Sequence, residues 1–236
     1  MAKLRFNPSK SWNDAREMPA YSIPLASHYL RLPEATLRAW VLGRSYPTEG
    51  GTKRFRPVIE LPDKGTPLLS FFNLAEAHIL RSLRQVHGVQ LNQIRQAIHY
   101  VSQRFRSRHP LVEQRFQTDG ARLFVSHLGR LLDAASGQQV MKEVMNHLER
   151  LEFENELVAR IYPFTRAANM LSPKSIFIDP KFCFGRPTLS VARVPTAVIA
   201  ERYKAGESTV ELAHDYACEA TDIEEAIRCE LVGQAA

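Results

Sequence analysis

The stretch from Ile23 to Gly43, IPLASHYLRLPEATLRAWVLG, constrains the fold more than any other part of this chain. Ile23, Leu25, Ala26, Tyr29 and Leu30 recur at helical spacing, and Arg31 and Leu32 then lead into Pro33. Proline lacks the amide hydrogen that a first helical turn leaves unbonded, so it opens a helix without loss. The spacing therefore predicts a second helix from about Pro33 through Leu37, Trp40 and Val41 to Gly43, a natural C-terminal stop. Two short helices joined by a tight turn are expected to pack as a helix-turn-helix. Leu37, Trp40 and Val41 share the face expected to be core, and Thr36 and Arg38 do not share it.

The next segment, RSYPTEGGTKRFRPVIELP, predicts a hairpin. Gly50-Gly51 is a strong turn signal between short extended pieces, and Phe55, Val58 and Ile59 favour strand. Lys53, Arg54 and Arg56 load it with positive charge, as suits a wing that grips a phosphate backbone. On the second helix, Arg38 can reach a phosphate or a guanine edge, and Thr36 a phosphate or a base. Arg31, Thr36, Arg38, Arg44, Lys53, Arg54 and Arg56 are the candidate DNA-binding residues.

Charge placement agrees with that assignment. The first 130 residues hold 20 basic and 9 acidic side chains, and the last 30 hold one and eight. A polyanion is drawn to the first part by counterion release and repelled by the second.

Between these ends the pattern is mixed. LLSFFNLAEAHILRSLRQVHGVQLNQIRQAIHYVSQRF reads as two helices broken at His87-Gly88, with Asn73 as N-cap of the first and Arg104, Arg106 and Arg108 closing the second. RLFVSHLGRLLDAASG reads as a strand and hairpin followed by a polar loop, and GQQVMKEVMNHLERLEFE as a helix. The Val140, Val144, Leu148 and Leu151 stripe of that helix suits either a core face or a dimer seam. ELVARIYPF and SPKSIFIDPKFCFGRPTLSVARV supply extended segments. Three helices close the chain: PTAVIAERYKAG, STVELAHDYA capped by Ser208 with Glu211, and TDIEEAIRCELV capped by Thr221 with Glu224.

This last trio also has helix-turn-helix spacing. Its final two helices carry Glu211, Asp215, Glu219, Asp222, Glu224, Glu225 and Glu230 against Arg228 alone, so contact with phosphates would cost energy. DNA is therefore assigned to the N-terminal unit and protein contact to the C-terminal one.

Several classes fall away. No run of 18 apolar residues is present, and the N-terminal segment lacks the apolar core of a signal peptide, so a cytoplasmic protein without a membrane span is expected. Cys183, Cys218 and Cys229 fit neither a zinc pattern nor a redox pair, and the eight histidines form no metal motif. No nucleophile with a base, no paired carboxylates at metal spacing and no phosphate-binding glycine loop is present, and Glu152, Glu154 and Glu156 alternate as a solvated edge does. Neither an enzyme nor a bound cofactor is expected. The fold class expected is α+β, mainly α: a winged helix-turn-helix domain with a helical extension over 1–108, then a dimerisation domain over 109–236 with a small β element and an acidic three-helix unit at 174–230.

YSIPLASHYLRLPEATLRAWV followed by Arg54-Phe55-Arg56 resembles the winged-helix unit of MerR-type regulators, whose recognition helix bears a Thr-Leu-Arg-aromatic tetrad; here Thr36-Leu37-Arg38-Ala39 has its aromatic one place on, at Trp40. Asp179-Pro180, Gly185-Arg186-Pro187 and Ala205-Gly206-Glu207-Ser208, followed by an acidic last helix, resemble a compact domain of VapB-type antitoxins. Together the two resemblances, over about 20–104 and 174–230, are to a long two-domain VapB antitoxin. That resemblance implies a homodimer that neutralises a PIN-domain ribonuclease toxin of the VapC type and binds operator DNA to repress its own operon. It does not specify the toxin surface, for which Glu211, Asp215, Asp222, Glu224 and Glu225 are candidates. The alternative is a MerR-like regulator without a toxin partner, sensing an organic ligand through residues 110–170.

Overall fold

The computed structural model describes residues 14–48, 51–63, 65–83, 91–129, 134–166 and 172–231. The chain forms two compact units, Met1–Glu149 with Phe153–Val158, and Arg150–Glu152 with Ala159–Ala236. Position 108, where the sequence reading divides the chain, lies inside the first. The architecture is α+β and mainly α.

The first unit begins with α1 (Ile23–Leu30) and α2 (Glu34–Leu42), then the hairpin β2 (Arg44–Thr48) and β3 (Gly51–Phe55). A two-residue strand β1 (Tyr21–Ser22) pairs antiparallel with β4 (Leu68–Leu69), leading the chain into α3 (Phe71–Ser82). Nearly every residue of α3 is buried, polar ones included, so it is the central helix of the unit. Asn73 is not its N-cap. Ser70 is: its hydroxyl accepts from the Asn73 N–H at 3.2 Å while the Asn73 side chain accepts from the Ser70 N–H at 3.2 Å. The break expected at His87-Gly88 lies outside the described residues.

Among the described residues, three more α-helices follow in the unit: α4 (Leu91–Phe105), α5 (Ala121–Gly129) and α6 (Ala134–Leu148). Where a strand and hairpin are expected over 122–137, residues 122–129 are instead helical, in α5, and 130–133 lie outside the described residues. Ala121, Phe124, Val125 and Leu128 are buried at successive helical spacings, and that periodicity outweighs the local β preference of Phe and Val. A wide turn at Phe116–Gly120 precedes α5. A Cβ on Gly120 would stand 2.7 Å from the Phe116 ring and 2.9 Å from Phe105. Val140, Val144 and Leu148 are fully buried within the unit, so their stripe is a core face and not a dimer seam.

The helix expected to continue to Glu154 stops at Leu148. Its last four residues form β5 (Leu151–Glu154), in which Leu and Phe alternate with Glu at the two-residue period of a strand. β5 pairs with β6 (Leu157–Ile161) through Asn155 and Glu156, both left-handed at φ 52° and 65°.

In the second unit, Ile161 pairs with Ile178, the two N–H···O bonds measuring 3.0 and 2.8 Å. β7 (Ile176–Phe177) pairs with β8 (Thr188–Leu189), and α7 (Thr196–Lys204), α8 (Thr209–Asp215) and α9 (Ala220–Leu231) pack on them. The core joins Ile176, Leu189, Ile199, Leu212, Ile223 and Ala226. Ser208 and Glu211 form the expected reciprocal cap, with bonds of 3.2 and 2.8 Å. Thr221 is not the cap of α9; the helix begins one residue earlier and Thr221 lies inside its first turn.

The two described ends of the segment between β6 and β7 are held by one side chain. Arg150, buried, donates to the carbonyls of Tyr162 (2.8 Å), Pro163 (3.0 Å), Ser172 (2.7 Å) and Pro173 (2.9 Å). Burial brings its guanidinium pKa down to about 10.

Candidate nucleic-acid interface

Ser22 caps α1 by accepting the Leu25 N–H, and Pro24 fits its first turn. The helix ends where Arg31 turns left-handed at φ 51°, which lets the Arg31 and Leu32 N–H groups reach the His28 and Ser27 carbonyls. Pro33 then starts α2, with Thr36 and Leu37 N–H bonded to its carbonyl. Leu37, Trp40 and Val41, no more than 3% exposed, seat α2 against the core. The other face carries Glu34, Ala35 and Arg38 into solvent, with Thr36 half-buried beside them.

The hairpin leaves α2 through Gly43, whose φ of 78° few side chains adopt. Register runs from Arg44 opposite Phe55 to Thr48 opposite Gly51. Where β3 ends, the Trp40 carbonyl accepts from the N–H groups of Val58 (2.7 Å) and Ile59 (3.0 Å), tying the hairpin's exit to α2. A second tie comes from α4. The Arg95 guanidinium lies 4.4 Å from the Phe55 ring centre and donates to the carbonyls of Arg56 (2.5 Å) and Pro57 (3.4 Å). Burial, and then the nearby Arg56 charge, lowers the Arg95 pKa.

Sequence reasoning missed Arg95. Its position on the polar face of an amphipathic helix carries no sign of the hairpin above it. The expected residues fall into three groups. Arg38, Arg44 and Arg56 are exposed around α2 and the hairpin, and Arg31 and Thr36 are half-buried at the turn and in α2. The backbones of Lys53 and Arg54 lie in β3, while their side chains lie outside what is described. Arg38 is engaged within its own helix by Glu34, one turn before it, at 2.5 Å.

The acidic set of the second unit is less available than its sequence suggests. Glu225 is 1% exposed and accepts bonds from Thr165, Arg166 (2.7 Å) and Arg228. Asp222 accepts from the Ser175 hydroxyl at 2.9 Å, and Asp215 is paired with Arg202 at 2.6 Å. That pairing holds the Asp215 carboxyl below its ordinary range. Glu211 and Glu224 are exposed. Among the described residues, no group of three or more His, Cys, Asp or Glu side chains could hold a metal ion, and no helix is long and apolar enough to cross a membrane.

An exposed helix face continued by a hairpin is the geometry of a winged helix-turn-helix protein. In agreement, residues 19–98 match the family described as "Putative DNA-binding HTH domain", and residues 176–228 match a family of proteins of unknown function, DUF433. Over 218 residues, 85% of this chain and 89% of the relative, the chain is 27% identical to "Putative antitoxin VapB45" of Mycobacterium tuberculosis (strain ATCC 25618 / H37Rv). The crystal structure of Rv2018 from Mycobacterium tuberculosis shares its fold, with a TM-score of 0.63 over 89% of this chain and 98% of that one, at 23% identity. The chain is thus similar, over most of its length, to a protein named as a VapB antitoxin.

Proposed function

We propose that the chain is an antitoxin and autorepressor. Its N-terminal winged helix-turn-helix binds operator duplex DNA, its C-terminal unit neutralises a PIN-domain ribonuclease of the VapC type, and it acts in the cytoplasm as a homodimer without catalysis of its own. The observation that carries the reading is exposed Arg38 on α2, with half-buried Thr36 beside it, followed by exposed Arg44 at the start of the hairpin and exposed Arg56 just past its end. The likeness to an antitoxin supplies the toxin half. Arg31, Thr36, Arg38, Arg44, Lys53, Arg54 and Arg56 are the proposed DNA contacts. Glu211, Asp215 and Glu224 are the proposed toxin contacts, with Asp222 half-buried beside them.

Two measurements test it. Titration of the upstream duplex should give binding that Arg38→Ala and Arg54→Ala each weaken and that falls as salt rises. Co-expression with the product of the neighbouring reading frame should give a complex that Glu211→Gln with Glu224→Gln weakens; glutamine at 211 keeps the helix cap. Salt-independent DNA binding, or failure of the wild-type chain to hold the neighbour's product, rejects the corresponding half.

One observation favours a MerR-like ligand-sensing regulator as the second reading. A cavity of about 650 Å³ lined by Arg104, Arg115, Asp119 and Arg122 borders the region expected to sense a ligand. Thermal stabilisation by a small organic anion, with no toxin complex, would favour it.

A further inference from the structure

The second unit, close to neutral with 11 acidic and 10 basic side chains, has a basic edge. Between positions 174 and 193 it carries Lys174, Lys181, Arg186 and Arg193 against a single carboxylate, Asp179. All four cations are exposed, whereas Asp179 is 4% exposed and committed to Arg160 (3.3 Å) and the Lys181 N–H (2.9 Å).

At the tip of this edge Phe184 is 94% exposed. Cys183, Phe184 and Gly185 have successive left-handed φ values of 46°, 56° and 72°. A bulky aromatic residue disfavours that conformation, and at this exposure it gains no burial in return. The turn is nevertheless firmly built. Gly185 N–H bonds to the Phe182 carbonyl at 2.9 Å and Arg186 N–H to the Cys183 carbonyl at 3.2 Å. The Arg160 guanidinium beneath it lies 4.3 Å from the Phe177 ring centre and 5.7 Å from that of Phe182. The neighbouring turn presents Val191, 59% exposed, and Arg193, left-handed at φ 55°; the Cys183 thiol and the Arg193 carbonyl, 3.9 Å apart, join the two turns.

A rigid aromatic point flanked by cations matches the side chains that enter a base step from the minor groove while basic neighbours hold the phosphates. A single-strand platform would present a row of aromatic faces instead. We propose that this edge is a second contact for duplex DNA, with Phe184 as the wedge and Arg186 and Arg193 on the flanking phosphates. The inference rests on the DNA-binding half of the function proposed above. It gives the second unit a place on the operator through its basic edge.

The test uses the full chain and the fluorescently end-labelled upstream duplex, reading affinity, salt dependence and end-to-end energy transfer as a measure of bending. Phe184→Gly should raise the melting temperature, because glycine accepts the left-handed turn, while reducing the bend and weakening binding about tenfold. Arg186→Ala with Arg193→Ala should lower the slope of log affinity against log salt by about 2. If these variants match the wild type in affinity, slope and bend while Arg38→Ala loses binding, the second contact is overturned and the winged-helix reading stands. No binding of the wild type to the duplex overturns both. Preference of the edge for single strands, or loss of a protein partner alone in Phe184→Gly, also overturns the duplex assignment.

Discussion

Gly43 and the Phe55 carbonyl oxygen approach so closely that a Cβ at position 43 would stand 2.3 Å from that oxygen. With φ at 78° as well, both sterics and backbone preference confine this position to glycine. Gly43→Ala should destabilise the first unit by about 1–3 kcal/mol. Hydrogen exchange should show the loss in the hairpin and the α2 C-terminus, and DNA affinity should fall with it. An unchanged exchange pattern would refute the packing role.

Glu34 should be a brake on DNA binding, because it occupies Arg38 on the face proposed to meet the duplex. An exposed pair one helical turn apart is worth about 0.3–0.5 kcal/mol. Glu34→Gln should therefore leave stability nearly unchanged and tighten operator binding by a factor of about two. Weaker binding would mean that α2 faces elsewhere.

His109 should make the first unit sensitive to alkali. Its ring nitrogen lies 2.9 Å from Glu76, whose other oxygen accepts from Asn73 at 3.1 Å. Burial and the Arg108 charge act to lower the His109 pKa, but the charge of Glu76 and its hydrogen bond outweigh them, so the value is raised. A raised value contributes stability that is complete below the ordinary 6.5 and is lost as pH rises through the shifted one. Urea midpoints should fall over that interval in the wild type and not in His109→Gln. Equal slopes in both proteins would exclude the pair.

Glu225 should act in the opposite direction on the second unit. Burial alone would raise its pKa, but bonds from Thr165 and Arg166 and the charge of Arg228 bring it below the ordinary 4.5. Its stabilisation is complete above that ordinary value and is lost as pH falls through the depressed one. Glu225→Gln should cost about 1–3 kcal/mol at neutral pH and flatten the acid limb of the stability profile. A wild-type acid limb in the variant would count against the buried carboxylate.

These residues show where the sequence was informative. The helix-turn-helix was legible because proline, glycine and the Leu37, Trp40 and Val41 stripe act locally, and the Ser208 cap was legible for the same reason. Asn73 and Ser70 form a reciprocal pair in which either residue type suits the cap, and the extended backbone of Ser70, at ψ 173°, is what places Ser70 outside the helix. Over 121–129 two local signals compete: the burial period is helical, yet Leu123, Phe124 and Val125 in succession resemble a strand. Arg95 and Glu225 could not be read at all. Each draws its role from partners tens of residues away, and a charged residue in a list of charges does not disclose whether its partner is water, a ligand or the interior of its own protein.

The four acceptors of Arg150 are all main-chain oxygens. Its grip therefore depends on where the backbone of those four residues runs, and its guanidinium also lies 4.9 Å from the Phe164 ring centre. Lysine at 150, with three donors and no planar fork, cannot serve all four carbonyls. Two stretches of chain, at 162–163 and at 172–173, thus share a single point of failure.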